Sequence, residues 1–192
     1  FREPLMRHLL MALLLMNSLT CLADEAKPIK KANFPTQLKD GSQTLQRKGQ
    51  IVLTYLWADV YAAALFAPAN ISPRDAFEQL RDLRLELFYL RDLDHSDITT
   101  ASATILKRQH SPATLRTLEA GLKKLQGSFA NIQRGDRYAL DYDPARGLNL
   151  ERNGQVIFTS TDKALAKAYL GIWLAPEGLP EPLRQTLLAQ TP

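Results

Sequence analysis

The sequence predicts a single α+β domain in which a large antiparallel sheet carries a layer of helices on one face. Three observations lead there. Strand-like and helix-like segments fall into separate runs, instead of alternating one for one as a parallel sheet requires. The stretch Leu45–Ala67, LQRKGQIVLTYLWADVYAAALFA, reads as two adjoining strands buried on much of both faces. Asn153-Gly154 lies between two alternating segments and is the strongest short-range hairpin signal in the chain. A length of 192 residues, 45% hydrophobic and 23% charged, suits one domain with a sizeable core.

The elements follow in order. Phe34-Pro35 opens the ordered part, and Thr36–Arg47 suits a first strand or hairpin. Strands are expected at Gln50–Trp57 and Val60–Phe66, then a helix over Pro73–Leu83 with Ser72 as N-cap and proline at its first position. Leu85, Leu87 and Tyr89 alternate with Glu86, Phe88 and Leu90, which makes Arg84–Arg91 a strand. Asp94–Ser96 opens a helix over Asp97–Gln109, with Ile98, Ala101 and Ile105 on one stripe. Ser111-Pro112 repeats the capping signal before Ala113–Leu125, where Leu115, Leu118, Leu122 and Leu125 share a face. Arg137–Tyr142, Leu148–Arg152 and Gln155–Ser160 form a three-stranded meander, and helices over Asp162–Leu174 and Pro180–Ala189 close the chain.

The N-terminus has the pattern of an export signal. Arg7 supplies a positive start, Leu9–Leu15 an apolar core too short to span a bilayer, and Cys21-Leu22-Ala23 a cleavage site before Asp24. The expected organisation is a signal peptide over 1–23, cleaved after Ala23, a polar and mobile leader over 24–33, and a domain over 34–192. A periplasmic location follows. The alternative is a lipid anchor on Cys21, disfavoured because no leucine stands three positions ahead of it. Cleavage removes the only cysteine, leaving neither disulfide nor thiol chemistry.

Several function classes are disfavoured by pattern. Without residues 1–23 the chain has 22 basic and 19 acidic side chains, and the basic ones occur as scattered pairs such as Lys30-Lys31 and Lys123-Lys124. A nucleic-acid partner needs a concentrated basic face. His95 and His110 lack partners at metal-ligand spacing. Asp92, Asp94 and Asp97 invite a cation, but helix-capping acids account for them equally well. Gly135-Asp136 suggests a tight turn and not a phosphate loop. Tyr169 and Trp173, four apart on the last long helix, read as core. No catalytic constellation, metal site or cofactor motif assembles.

Four segments carry a resemblance: Phe34-Pro35; Gly49 through Val60-Tyr61-Ala62-Ala63-Ala64-Leu65-Phe66; Phe129 through Gly135-Asp136 to Asn153-Gly154; and Ile172-Trp173-Leu174 with Leu187-Leu188. In order and spacing they resemble the bacterial, exported branch of the chalcone isomerase-like proteins. The resemblance implies an open-faced β-sandwich, which agrees with the antiparallel sheet and one-sided helical layer derived above. It also implies, for the enzymes of the family, an arginine after a Gly-x-Gly-x segment, a threonine on the next strand, and a helical tyrosine–asparagine pair. Here the first segment reads Gly49-Gln50-Ile51-Val52-Leu53, so Leu53 stands at the arginine position. Tyr61 falls near the threonine, and Ile98 and Ile105 at the helical pair. An aliphatic side chain cannot stabilise an oxyanion as a guanidinium does.

The expectation is therefore a non-catalytic member that binds a small apolar ligand, such as a fatty acid, in a cleft lined by Leu53, Tyr55, Tyr61, Ile98 and Ile105. No cofactor, metal, nucleic-acid partner or stable membrane span is expected, and the oligomeric state stays open. Two alternatives stand beside this reading. One is an intramolecular isomerase or lyase using Tyr61 or Tyr55 as acid or base; the other is a structural or partner-binding protein whose cleft is filled.

Overall fold

The computed structural model describes residues 26–189. The expected export signal, with Cys21, lies outside them. Seven strands form one antiparallel sheet in sequence order: β1 (Gln37–Asp40), β2 (Gln43–Tyr55), β3 (Ala58–Pro68), β4 (Leu83–Tyr89), β5 (Arg137–Asp143), β6 (Gly147–Arg152) and β7 (Gln155–Ser160). Every strand pairs with its sequence neighbours; helices are inserted between β3 and β4 and between β4 and β5, and two more follow β7. Helices α2 (Pro73–Glu78), α3 (His95–Gln109), α4 (Pro112–Gly127), α5 (Lys163–Leu174) and α6 (Glu181–Leu188) pack on the inner face. The α+β architecture agrees with the sequence.

Alternation places the core. On β3, Tyr61, Ala63, Leu65 and Ala67 point to the helical layer, while Ala62, Ala64 and Phe66 point outward. The outer face is covered in part by α1 (Ala26–Ala32), where a mobile leader was expected. Ile29 and Ala32 share one side of this helix and pack with Phe34 against Val52, Ala62 and Phe66. The polar composition of the segment hides so short an apolar face. Beyond α1 the outer face carries charges: Arg84 pairs with Glu86, Asp141 and Glu151, and Arg137 pairs with Glu86 while lying over Phe34 and Phe88.

Helix α5, KALAKAYLGIWL, is buried almost throughout from Leu165 onward and forms the centre of the helical layer. Asp162 caps it by accepting from the N–H groups of Ala164 and Leu165. Ser72 and Ser111 cap α2 and α4 in the same way, as their Ser-Pro signals predicted. Helix α2 ends at Glu78, short of the expected Leu83. Leu80 takes a left-handed φ of 50°, and Arg81 N–H bonds back to Ala76 C=O at 2.8 Å. This is the usual reversal at a helix end, made with leucine where glycine would have announced it.

Strand β2 runs straight through the expected break at Arg47–Gln50, where the ladder to β3 shifts register between Arg47 and Gly49. Gly49 permits α6 to approach: a Cβ there would lie 2.3 Å from the Thr186 carbonyl oxygen. The β2–β3 connection is a two-residue turn at Leu56-Trp57, with Tyr55 opposite Ala58.

Candidate functional site

A cavity of about 90 Å³ lies between the inner face of the sheet and helices α3 and α5. Three neighbouring strands supply its aromatic floor. Register sets Tyr61 opposite Tyr89, and Leu87 opposite Tyr138, so the three tyrosines descend across β3, β4 and β5 on the same face. Tyr61 and Tyr89 meet edge-to-face at 5.5 Å, and Tyr89 and Tyr138 at 5.7 Å. Phe129, just beyond α4, stacks on Tyr138 at 5.2 Å. Leu53 comes from β2, next to Tyr61 in the ladder.

The helices close the other side. Ile98, Ala101, Ser102 and Ile105 recur at helical spacing on α3 and line the cavity. Tyr169 and Trp173, one turn apart on α5, present their rings together at 6.0 Å. Trp173 Nε1 donates to Tyr61 Oη at 3.0 Å, a buried bond that joins helical layer to sheet across the cavity. Ile98, Ala101 and Phe129 are the partly exposed members of the wall and mark the side nearest solvent.

Among the described residues, no aspartate, glutamate, histidine, lysine or arginine lines this cavity. Its polar groups are hydroxyls held in their neutral form. Burial pushes the Tyr61 phenol far above its ordinary value, the bond from Trp173 offsetting this only in part. Burial does the same to Tyr169, with Ser102 pulling the other way. Tyr89 is raised by burial and by the surrounding tyrosines. Tyr138 is raised by burial as well; it is 1% exposed, and its hydroxyl has no hydrogen-bond partner among the described residues. A buried unpaired hydroxyl is costly, so an acceptor placed beside it gains more than the same bond in water.

The structure brings together four of the five residues singled out from sequence: Leu53, Tyr61, Ile98 and Ile105 all line the cavity. Tyr55 does not. It is buried at the C-terminal end of β2, in the main core, with its hydroxyl unpartnered among the described residues. Leu53 is 6% exposed and apolar where the resemblance places an arginine. The nearby cations do not replace it: Arg47 donates to the carbonyls of Phe34 and Pro35, and Lys48 to that of Ala69. The aliphatic side chains close the cleft down to about 90 Å³.

Tyr89, Tyr138 and Ser102 were missed as site residues, and Tyr169 and Trp173 were read as plain core. The alternation of Leu85, Leu87 and Tyr89 did put Tyr89 on the inner face. Nothing local distinguishes a core tyrosine from one beside a cavity. The acidic cluster after β4 sits at a helix start: Asp94 holds the N-cap position of α3 without a side-chain capping bond, Asp97 lies in the first turn, and Asp92 accepts from Arg134 N–H at 2.7 Å. His95 joins the start of α3 to the end of α4 through the Gln126 carbonyl at 2.7 Å. Asp40, Asp82 and Asp143 also gather, with Arg146 pairing to Asp40 and Asp143.

The sequence model of the chalcone isomerase-like family matches residues 26–189. Among solved structures, a fatty-acid-binding protein of Arabidopsis thaliana superposes with a TM-score of 0.62 over 81% of this chain and 90% of that one. The two are 16% identical, so the likeness is one of fold. No curated protein matches the chain.

Proposed function

The chain belongs to the chalcone isomerase-like family, and from that premise and the chemistry of its cavity we propose that it is a non-catalytic binder of a small apolar ligand, a fatty acid or a molecule like it. The observation that carries the reading is an open cavity walled by aliphatic and aromatic side chains, with no charged group. Burying a methylene there is favourable by about 0.8 kcal/mol. At about 30 Å³ per water the volume corresponds to roughly three waters, so in this conformation it takes only a short apolar segment. An ionised head group would stay at the partly exposed side, by Ile98, Ala101 and Phe129, since the interior has no cation to pair with it. Similarity to a fatty-acid-binding protein in fold supports the ligand class. Export to the periplasm rests on the pattern of residues 1–23 and is part of the same proposal.

An isomerase would need a group that changes protonation. Tyr61 is held neutral and already accepts from Trp173, which leaves it poorly suited to act as a base. The test is a titration of delipidated protein with a fluorescent fatty acid, wild type against Ala101→Phe, which plugs the cavity from its partly exposed side. Saturable uptake lost in the variant is the expected result. Uptake no better than that of an unrelated protein, or equal uptake by both, overturns the proposal.

A further inference from the structure

The β2–β3 turn is out of keeping with the rest of the surface. Leu56 and Trp57 occupy its two central positions at φ 43° and 57°, a turn that normally takes Asn-Gly. Both are exposed: Trp57 by 92% and Leu56 by 44%. The only other large apolar side chain so exposed among the described residues is Val156, on the edge strand β7. So the protein holds its two bulkiest exposed apolar groups side by side, in a backbone conformation that disfavours them, and gains no internal contact large enough to cover Trp57. Such strain at an exposed tip is a reason to look for a partner.

The surroundings say which kind. Asp59, two residues past Trp57, borders a depression whose other charged members are Lys27, Lys31 and Arg134. All three cations are exposed, none is in an ion pair among the described residues, and they outnumber the one carboxylate. An indole and a leucine within three residues, along the chain, of a depression lined by lysine and arginine match a bilayer interface with anionic head groups: rings seat at head-group level, and cations pair with the phosphates. The position fits as well. Leu53 and Val60, on the two strands that the turn joins, both line the cavity.

We propose that the Leu56-Trp57 turn, with Lys27, Lys31 and Arg134, is a docking surface for anionic membrane lipid, set at the cavity end of the sheet. Docking stands on the turn and its cations alone; that it serves ligand exchange rests on the binding function proposed above.

The experiment is co-sedimentation with vesicles of phosphatidylcholine and phosphatidylglycerol in equal parts, and with vesicles of phosphatidylcholine alone. Wild type should favour the anionic vesicles by on the order of tenfold at low salt, with the preference falling as salt rises. Its tryptophan emission should shift to the blue, a signal from Trp57 because Trp173 is buried. The double variant Leu56→Asn, Trp57→Gly should bind at least about tenfold more weakly while melting no lower than wild type, because Asn-Gly suits the turn. Lys27→Glu with Lys31→Glu should abolish the anionic preference. Wild type that ignores anionic vesicles, a turn variant that binds them equally, or equal binding to neutral vesicles overturns the proposal. So does a protein that associates with another protein through Trp57 and leaves vesicles alone. Vesicle binding without fatty-acid uptake counts against the cavity reading only, and uptake without vesicle binding against docking only.

Discussion

Trp173 Nε1 donates a hydrogen bond to Tyr61 Oη at 3.0 Å, and both partners are buried. The bond spans the cavity roof to floor, α5 to β3. It satisfies the indole N–H and leaves the phenol proton available to an acceptor in the cavity. One contact thus ties packing of the helical layer to the polar character of the site.

Tyr61→Phe should therefore destabilise more than the loss of one hydroxyl implies. The Trp173 N–H would be left buried and unpaired, at a cost of about 1–3 kcal/mol. Trp173→Phe removes the donor too, so the double variant should lose less than the sum of the two singles. Thermal melts of all three variants check this; additive losses would show that the bond contributes nothing.

Gly49→Ala should be poorly tolerated. The new methyl would sit 2.3 Å from the Thr186 carbonyl oxygen, within the backbone of α6, which cannot move aside as a side chain can. The loss should be at least about 1–3 kcal/mol, the range for forced overpacking. Hydrogen exchange should show α6 protection falling first; a melt within error of wild type would contradict the packing argument.

Replacing Leu56-Trp57 by Asn-Gly should stabilise the isolated protein. A left-handed conformation costs most residues about 1–2 kcal/mol, and asparagine and glycine avoid much of it. The same chain already uses Asn-Gly at Asn153-Gly154, with φ of 50° and 81°. Denaturant unfolding should show a higher midpoint with an unchanged slope.

Asp136 should contribute to acid sensitivity. Its carboxylate accepts from Gln133 N–H, Asn153 Nδ2 and Arg152 Nη2. The pull of those hydrogen bonds and of the Arg152 charge outweighs burial and lowers its pKa below the ordinary 3.8. A depressed folded-state pKa means the contribution is fully present above the unfolded value and is lost as pH falls through the folded one. Asp136→Asn should accordingly lower stability at neutral pH and flatten its fall below pH 3.8. Unfolding measured across that range gives the answer, and a wild-type slope retained in the variant would refute it.

The order of strands and helices was readable because each depends on local period. Two-residue alternation marks β4, helical stripes mark α3 and α4, Ser-Pro marks two helix starts, and Asn-Gly marks the last hairpin. Where local chemistry broke its own rule, the reading slipped. Leu80 ends α2 without a glycine, Leu56-Trp57 turns a hairpin without Asn-Gly, and α1 has too short an apolar face to stand out. Leu53, Tyr61, Ile98 and Ile105 were found through the position each holds in a family pattern, not through their own chemistry. Tyr55 held no such position; it shares the inner face with Ile51 and Leu53 but lies two residues beyond Leu53 and does not line the cavity.

By itself, then, the sequence determined the α+β class, the meander, and the apolar character of whatever cleft the fold makes, since these follow from near neighbours along the chain. Only the tertiary structure decided that the cleft stays open, that three tyrosines from adjacent strands share it, and that Trp173 meets Tyr61 across it. Those facts depend on register and on the distance between sheet and helices. Residues 112 positions apart settle them, and no local pattern encodes such a spacing.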